Sequence, residues 1–174
     1  MGGLAPSVLY KYRVRSGSPE APWSDFGTFV SLPEAGAATP FTFAIWADMG
    51  VYSWNNMDSV IANFEARTIA FAAHIGDHGY DIGDLGRGDG YFDAISAMYT
   101  KGLFVPGVGN HEYYHDHFHR YDAYTSGIAK YNPSHSQKYY SLNIGQLHLI
   151  VLDSTPYFDM PGSDKAQQRE WLEA

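Results

Sequence analysis

From residue 41 onward, short continuous apolar runs alternate with longer stretches whose apolar positions recur every three or four residues. The runs at 41–47, 69–75 and 103–108 each end in a polar cluster carrying glycine, the pattern of strands covered on both faces. Between them, Met57, Val60, Ile61 and Phe64 have helical spacing within 56–67, and a second helix is predicted over 91–99. Strand, helix, strand, helix, strand predicts an α/β domain with a largely parallel sheet and crossover connections. Residues 139–142 and 147–153, joined by a turn at 143–146, predict an antiparallel hairpin extending that sheet. Residues 166–174 open an amphipathic helix through Trp171 and Leu172.

The first forty residues follow a different period. Val8, Tyr10, Tyr12 and Val14 alternate with Leu9, Lys11, Arg13 and Arg15, predicting a strand over 7–15 with a basic outer face. A Gly/Pro-bearing turn at 16–22 leads to a second predicted strand at 23–30, so this segment is a β-hairpin. A lone hairpin is marginal in water and must pack on something. The small, unpatterned stretch before Phe41 has linker composition, which divides the chain into 1–32, a linker at 33–40, and 41–174.

Composition narrows the chemistry. Nineteen acidic against eleven basic residues give a net charge of −8 over 174 residues, and no stretch concentrates Lys and Arg, which disfavours a nucleic-acid backbone binder. No cysteine is present, which excludes disulfide scaffolds, thiolate zinc sites and cysteine nucleophiles and leaves oxygen and nitrogen to hold any metal. No window approaches the roughly 18 apolar residues of a spanning helix, and the start lacks the pattern of a secretory leader. A membrane partner is therefore not expected.

Asp48, Asp77 and Asn110 each stand just past the carboxyl end of a predicted parallel strand, separated by 29 and 33 residues, one βαβ step each. That edge of an open α/β sheet is where ligands bind, so three oxygen donors converge on one crevice. Gly50, Gly76 and Gly109 allow sharp turns beside them, while Tyr80 and His111 add a phenol and an imidazole. Such hard donors suit Mg, Mn, Zn or Fe, and two carboxylates at close range call for a neutralising metal pair.

Asp48-Met49-Gly50, Gly76-Asp77-His78-Gly79-Tyr80 and Gly109-Asn110-His111-Glu112 together resemble the motifs of the purple acid phosphatases, within the calcineurin-like metallophosphoesterases. The resemblance implies the first half of a metallophosphoesterase α/β sandwich, preceded by a hairpin remnant of a fibronectin-III-like β-sandwich, in a chain truncated at both ends. It implies hydrolysis of phosphate monoesters by a hydroxide held on two metals, Fe(III) and a divalent Zn, Mn or Fe. Asp48 and Tyr80 then bind the first ion, Asp77 bridges both and Asn110 binds the second. His111 and Asn110 contact substrate, and Glu112 orients His111 by hydrogen bonding. The resemblance also implies a homodimer in a secreted or vacuolar setting. Three further ligand histidines of the family, from Val-x-x-His and Gly-His-x-His motifs, have no match here, so little turnover is expected from this chain alone. The alternatives are a related phosphodiesterase or nucleotidase, which Tyr80 argues against, and a non-catalytic module that binds metal or phosphate.

Other features have ordinary readings. Asp48 in isolation reads as a helix N-cap. His74 reads as a core residue and His78 as filler. His115, His117 and His119 would share a face of a strand, but the segment reads as surface or adventitious metal binding. Arg87-Gly88-Asp89 reads as a solvated turn, and Asp81, Asp84, Asp89 and Asp93 fail the spacing of a calcium loop. Tyr113, Tyr114, Phe118 and Tyr121 are expected at the crevice rim or in the core.

Overall fold

In a computed structural model describing residues 3–51, 56–80, 82–83, 86–114, 116–158, 160 and 163–174, the N-terminal alternation produces an antiparallel pair. Strand β1 (Leu9–Tyr12) faces β2 (Gly27–Val30), with Leu9 opposite Val30 and Tyr12 opposite Gly27. The ladder is shorter than the alternation predicts; beyond it, isolated bonds from Ser31 N to Val8 O and from Ser24 N to Val14 O hold the ends together. The Tyr12 hydroxyl donates to the Thr100 carbonyl at 2.8 Å and ties the hairpin to the following domain.

Three parallel strands, β3 (Phe43–Trp46), β4 (Phe71–Ile75) and β5 (Leu103–Gly107), form a sheet in that order. They are joined by α1 (Met57–Glu65) and α2 (Arg87–Lys101). The central strand β4 is buried from Phe71 to His74, as a continuous apolar run in a covered sheet should be. Its period of two divides the core. Ala72 and Phe104 pack with Met57, Phe64, Ile95 and Met98 on the helical side, while Phe71, Ala73 and Val105 face the other way. Helix α2 starts at Arg87, four residues before the predicted stretch, and is preceded by Gly86, whose φ of +75° suits glycine. Arg87-Gly88-Asp89 is thus the first turn of a helix rather than a solvated turn, and Asp89 pairs with Arg120 at 3.2 Å.

The second hairpin corrects an expectation. Strands β6 (Tyr140–Ile144) and β7 (Leu147–Val151) form their own two-stranded sheet and do not extend the parallel one. Tyr140, Ile144 and Val151 instead cover Phe71, Ala73 and Val105, and the Tyr140 hydroxyl donates to the Pro106 carbonyl at 2.6 Å. The reason lies in β4 and β5, whose faces turned away from the helices are apolar and must be buried. The hairpin turn tightens to Gly145 and Gln146, since Ile144 already pairs with Leu147.

A helix unforeseen from the sequence, α3 (His119–Tyr131), precedes that hairpin. It buries only Tyr121 and Thr125, too few positions to announce a helical stripe. The chain turns into it through His117 and Phe118 at φ +50° and +67°, so His117 and His119 do not share a strand face; His115 lies outside the described residues. Helix α4 (Lys165–Glu173) closes the described chain, capped by Asp164, whose carboxylate accepts from the Ala166 and Gln167 amides. No helix among the described residues is long and apolar enough to cross a membrane.

Candidate functional site

The loops leaving β3, β4 and β5 bring Asp48, Asp77 and Asn110 to one crevice of about 400 Å³, with Ser154, Thr155 and Phe158 along its wall. Contact between these loops is made by backbone. A Cβ on Gly76, which stands at φ +105°, would lie 3.0 Å from Gly109 N and Cα, and one on Gly109 would lie 2.3 Å from Asp77 Oδ1 and 2.6 Å from Asp77 N. Gly109→Ala must therefore push Asp77 and its loop aside. A loss of about 1–3 kcal/mol in urea denaturation is expected, as for an overpacked interior, and unchanged stability would show that the loops separate freely.

The side chains converge by bonds that cross from loop to loop. The Tyr80 hydroxyl donates to Asp48 Oδ1 at 2.7 Å, and the His111 amide donates to Asp77 Oδ1 at 3.0 Å. The His111 ring stands 4.6 Å from that of Tyr80 and edge-on to Tyr114 at 5.4 Å. Residues Asn110–Glu112 form one 3-10 turn, which fixes the amide of His111 toward Asp77. Asp48, Asp77 and Tyr80 have φ of +56°, +53° and +50°. Left-handed backbone costs most non-glycine residues roughly 1–2 kcal/mol and is more readily adopted by Asp, so Tyr80, bonded to Asp48 at the crevice, is the clearest sign of strain held by its surroundings. Helix α1 is capped at Asn56, so Asp48 is not the cap of that helix.

Burial raises the Asp77 carboxyl above its ordinary range. The His111 amide opposes this, while the Glu112 and Asp48 carboxylates add to it. Crowded anions of this kind gain from a cation, and two carboxylates, a phenol and an amide are hard oxygen donors suited to one. Among the described residues no group of three or more His, Asp or Glu side chains is arranged to hold a metal. In kind these donors suit a hard cation, but the described acidic and imidazole side chains are not arranged in a group of three around one.

Glu112 occupies a different place from the one its motif implies. It is fully buried, and its oxygens accept from the amides of Asp77 (2.9 Å), His78 (2.8 Å) and Gly109 (2.8 Å). Its carboxylate thus stitches the β4 loop to the β5 loop, and its described partners are backbone amides rather than the His111 ring. His78, expected to be filler, is likewise fully buried, with Nδ1 3.1 Å from the Tyr91 hydroxyl and Nε2 2.7 Å from the Gly107 carbonyl. A polar residue between two candidate ligands was the available signal.

The remaining candidates fall outside the crevice. Phe118 and Tyr121 are core residues, whereas Tyr114 is exposed beside His111. Asp81 and Asp84 lie outside the described residues, and Asp89 is engaged by Arg120.

No family model matches the chain. It is 30% identical to acid phosphatase type 7 from Danio rerio over 98% of its own length and 25% identical to purple acid phosphatase 22 from Arabidopsis thaliana over its whole length. It spans 38% of each of these curated relatives. Among solved structures, purple acid phosphatase PPD1 from yellow lupin (Lupinus luteus) seeds matches its fold with a TM-score of 0.73 at 19% identity, over 98% of this chain and 34% of the lupin chain.

Proposed function

We propose that this chain, a relative of the purple acid phosphatases, contributes to a metal-dependent site that hydrolyses phosphate monoesters. The observation that carries the reading is the convergence of Asp48, Asp77 and Asn110 from three successive parallel strands, with Tyr80 bonded to Asp48. In this reading Asp48, Asp77 and Tyr80 hold a first ion, preferably ferric, and Asp77 with Asn110 holds a second, divalent one. When bound, the pair supplies positive charge for the phosphoryl oxygens and lowers the pKa of water. Asp77 places the His111 backbone through its amide, the Tyr80 and Tyr114 rings flank the imidazole, and that imidazole is offered to the ester oxygens. Glu112 never meets substrate; it keeps the two loops in register. The division at 32 and 40, and a fibronectin-III-like origin of the first hairpin, belong to the same proposal and are supported by the β1–β2 pairing.

The test is optical. Ferric ion added to the purified chain should produce a visible phenolate-to-iron band that Tyr80→Phe abolishes while its circular dichroism stays unchanged. A colourless iron-loaded chain, or a band that survives Tyr80→Phe, would remove Tyr80 from the ligands.

A second reading, a module that binds metal or phosphate without turnover, is favoured by the shortage of ligands for a second ion among the described residues. Hydrolysis of an aryl phosphate by the iron- and zinc-loaded chain separates the two.

A further inference from the structure

Beneath the crevice lies a group of buried polar rings that none of the candidate ligands uses. His74 on β4, His78 in the following loop and Tyr91 on α2 are all fully buried. The Tyr91 hydroxyl is within hydrogen-bond distance of Nδ1 of both histidines, and the histidine rings stand 4.2 Å apart. His78 Nε2 meets the Gly107 carbonyl of β5 at 2.7 Å.

The directions of these bonds follow from what each partner can do. A carbonyl only accepts, so His78 Nε2 carries hydrogen. Burial and the neighbouring His78 hold His74 well below the usual imidazole range, so that ring is neutral and has one hydrogen to place. A phenol donates once. If Tyr91 donates to His74, its hydroxyl must accept from a doubly protonated His78, and the one hydrogen of His74 moves to Nε2. That atom and Trp46 Nε1 on the adjacent ring, 5.3 Å away between centroids, are the described buried polar atoms without a partner in the protein. Two donors would then share an apolar place, beside a buried charge. The opposite direction leaves an indole donor and an imidazole acceptor on neighbouring rings, a complementary pair that a single bridging water would satisfy.

We infer that His74 Nδ1–H donates to Tyr91, Tyr91 O–H donates to His78 Nδ1, and His78 Nε2–H donates to Gly107, and that this directed chain makes His78 the positioning residue of the candidate site. His78 directly follows Asp77 and stands two residues before Tyr80, both in left-handed backbone. Its amide donates to Glu112 and its carbonyl accepts from Gly50 at 2.8 Å, so backbone and ring together fix it against β5, α2 and the β3 loop. Strained backbone persists only when its neighbours over-determine it, and His78 is where these constraints meet. The inference rests on the proposed site only in naming what is positioned.

Long-range proton–nitrogen spectra of the metal-free, nitrogen-15-labelled full chain test the chain directly. His74 should carry its hydrogen on Nδ1 and His78 on Nε2; a matching tautomer on both rings, or a doubly protonated His78, would overturn it. Amide exchange tests the positioning. In Tyr91→Phe, the amides of Gly50, Asp77 and His78 should exchange at least about tenfold faster than in Ile95→Val, a change in the same helix that lowers stability without touching the polar chain. His78→Gln, which keeps a donor for Gly107, should restore much of the protection that His78→Leu loses. Exchange that merely follows global stability in all four variants would overturn the positioning role, and if Tyr91→Phe fails to fold, the tautomers of the unaltered chain still decide. Because no metal is present in these measurements, failure to bind iron would count against the proposed function alone.

Discussion

Glu112→Ala is expected to cost about 3–5 kcal/mol, a large share of the roughly 5–15 kcal/mol that holds a typical domain folded. The substitution removes the acceptor of three amides, those of Asp77, His78 and Gly109, in a place that is fully buried. Each unpaired buried donor costs about 1–3 kcal/mol, and bonds to a charged acceptor lie at the upper end. Surface pairs cannot compensate: Arg169 with Glu173, at 2.8 Å and mostly exposed, is worth about 0.3–0.5 kcal/mol. Glu112→Gln should lie between, because its carbonyl oxygen still accepts while its NH2 group faces a donor. Urea denaturation followed by circular dichroism measures both. A loss under about 1 kcal/mol for Glu112→Ala would mean that water replaces the carboxylate and that the two loops hold their register without it.

Glu112 also shows what could be read in the sequence and what could not. The strands β3, β4 and β5 were legible because each is a continuous apolar run closed by glycine, and the candidate ligands were legible because they stand at the same point of three such units. What a side chain does after the turn is decided by tertiary geometry, which local pattern does not encode. The motif therefore gave Glu112 to His111, whereas the close approach of Gly76 and Gly109 brings the amides of two loops within reach of its carboxylate. Helix α3 was hidden for a related reason. With only Tyr121 and Thr125 buried, it presents no stripe, and its histidine-rich entry suggests an extended segment until His117 and Phe118 turn the chain. The place of the β6–β7 hairpin could have been argued further, since Phe71, Ala73 and Val105 needed a cover that edge pairing would not supply.

Asp77→Asn should stabilise the metal-free chain and abolish most of its response to metal, so that the order of stabilities reverses between chelator and metal. In the folded chain Asp77 is half-buried, with Asp48 and Glu112 close by, and its carboxyl is raised above its ordinary 3.8. Between 3.8 and that raised value the folded chain binds more protons than the unfolded one, so stability falls as pH rises through this window. Above the window the whole penalty of holding the charge is present, and below 3.8 it is absent. Asparagine carries no such penalty, and its oxygen can still accept from the His111 amide, as Asp77 Oδ1 does. With chelator, the variant should melt higher than the wild type near neutral pH, with the gap closing toward pH 4 and below. With ferric ion or zinc the wild type gains by mass action, about 2.7 kcal/mol at a hundredfold excess over Kd. The variant has lost the proposed bridging carboxylate and should gain little. Melting curves at pH 4 and pH 7, each with chelator and with metal, decide the matter: a variant less stable than the wild type in chelator at pH 7 would contradict the crowding of charge, and one that responds to metal as fully as the wild type would remove Asp77 from the ligands.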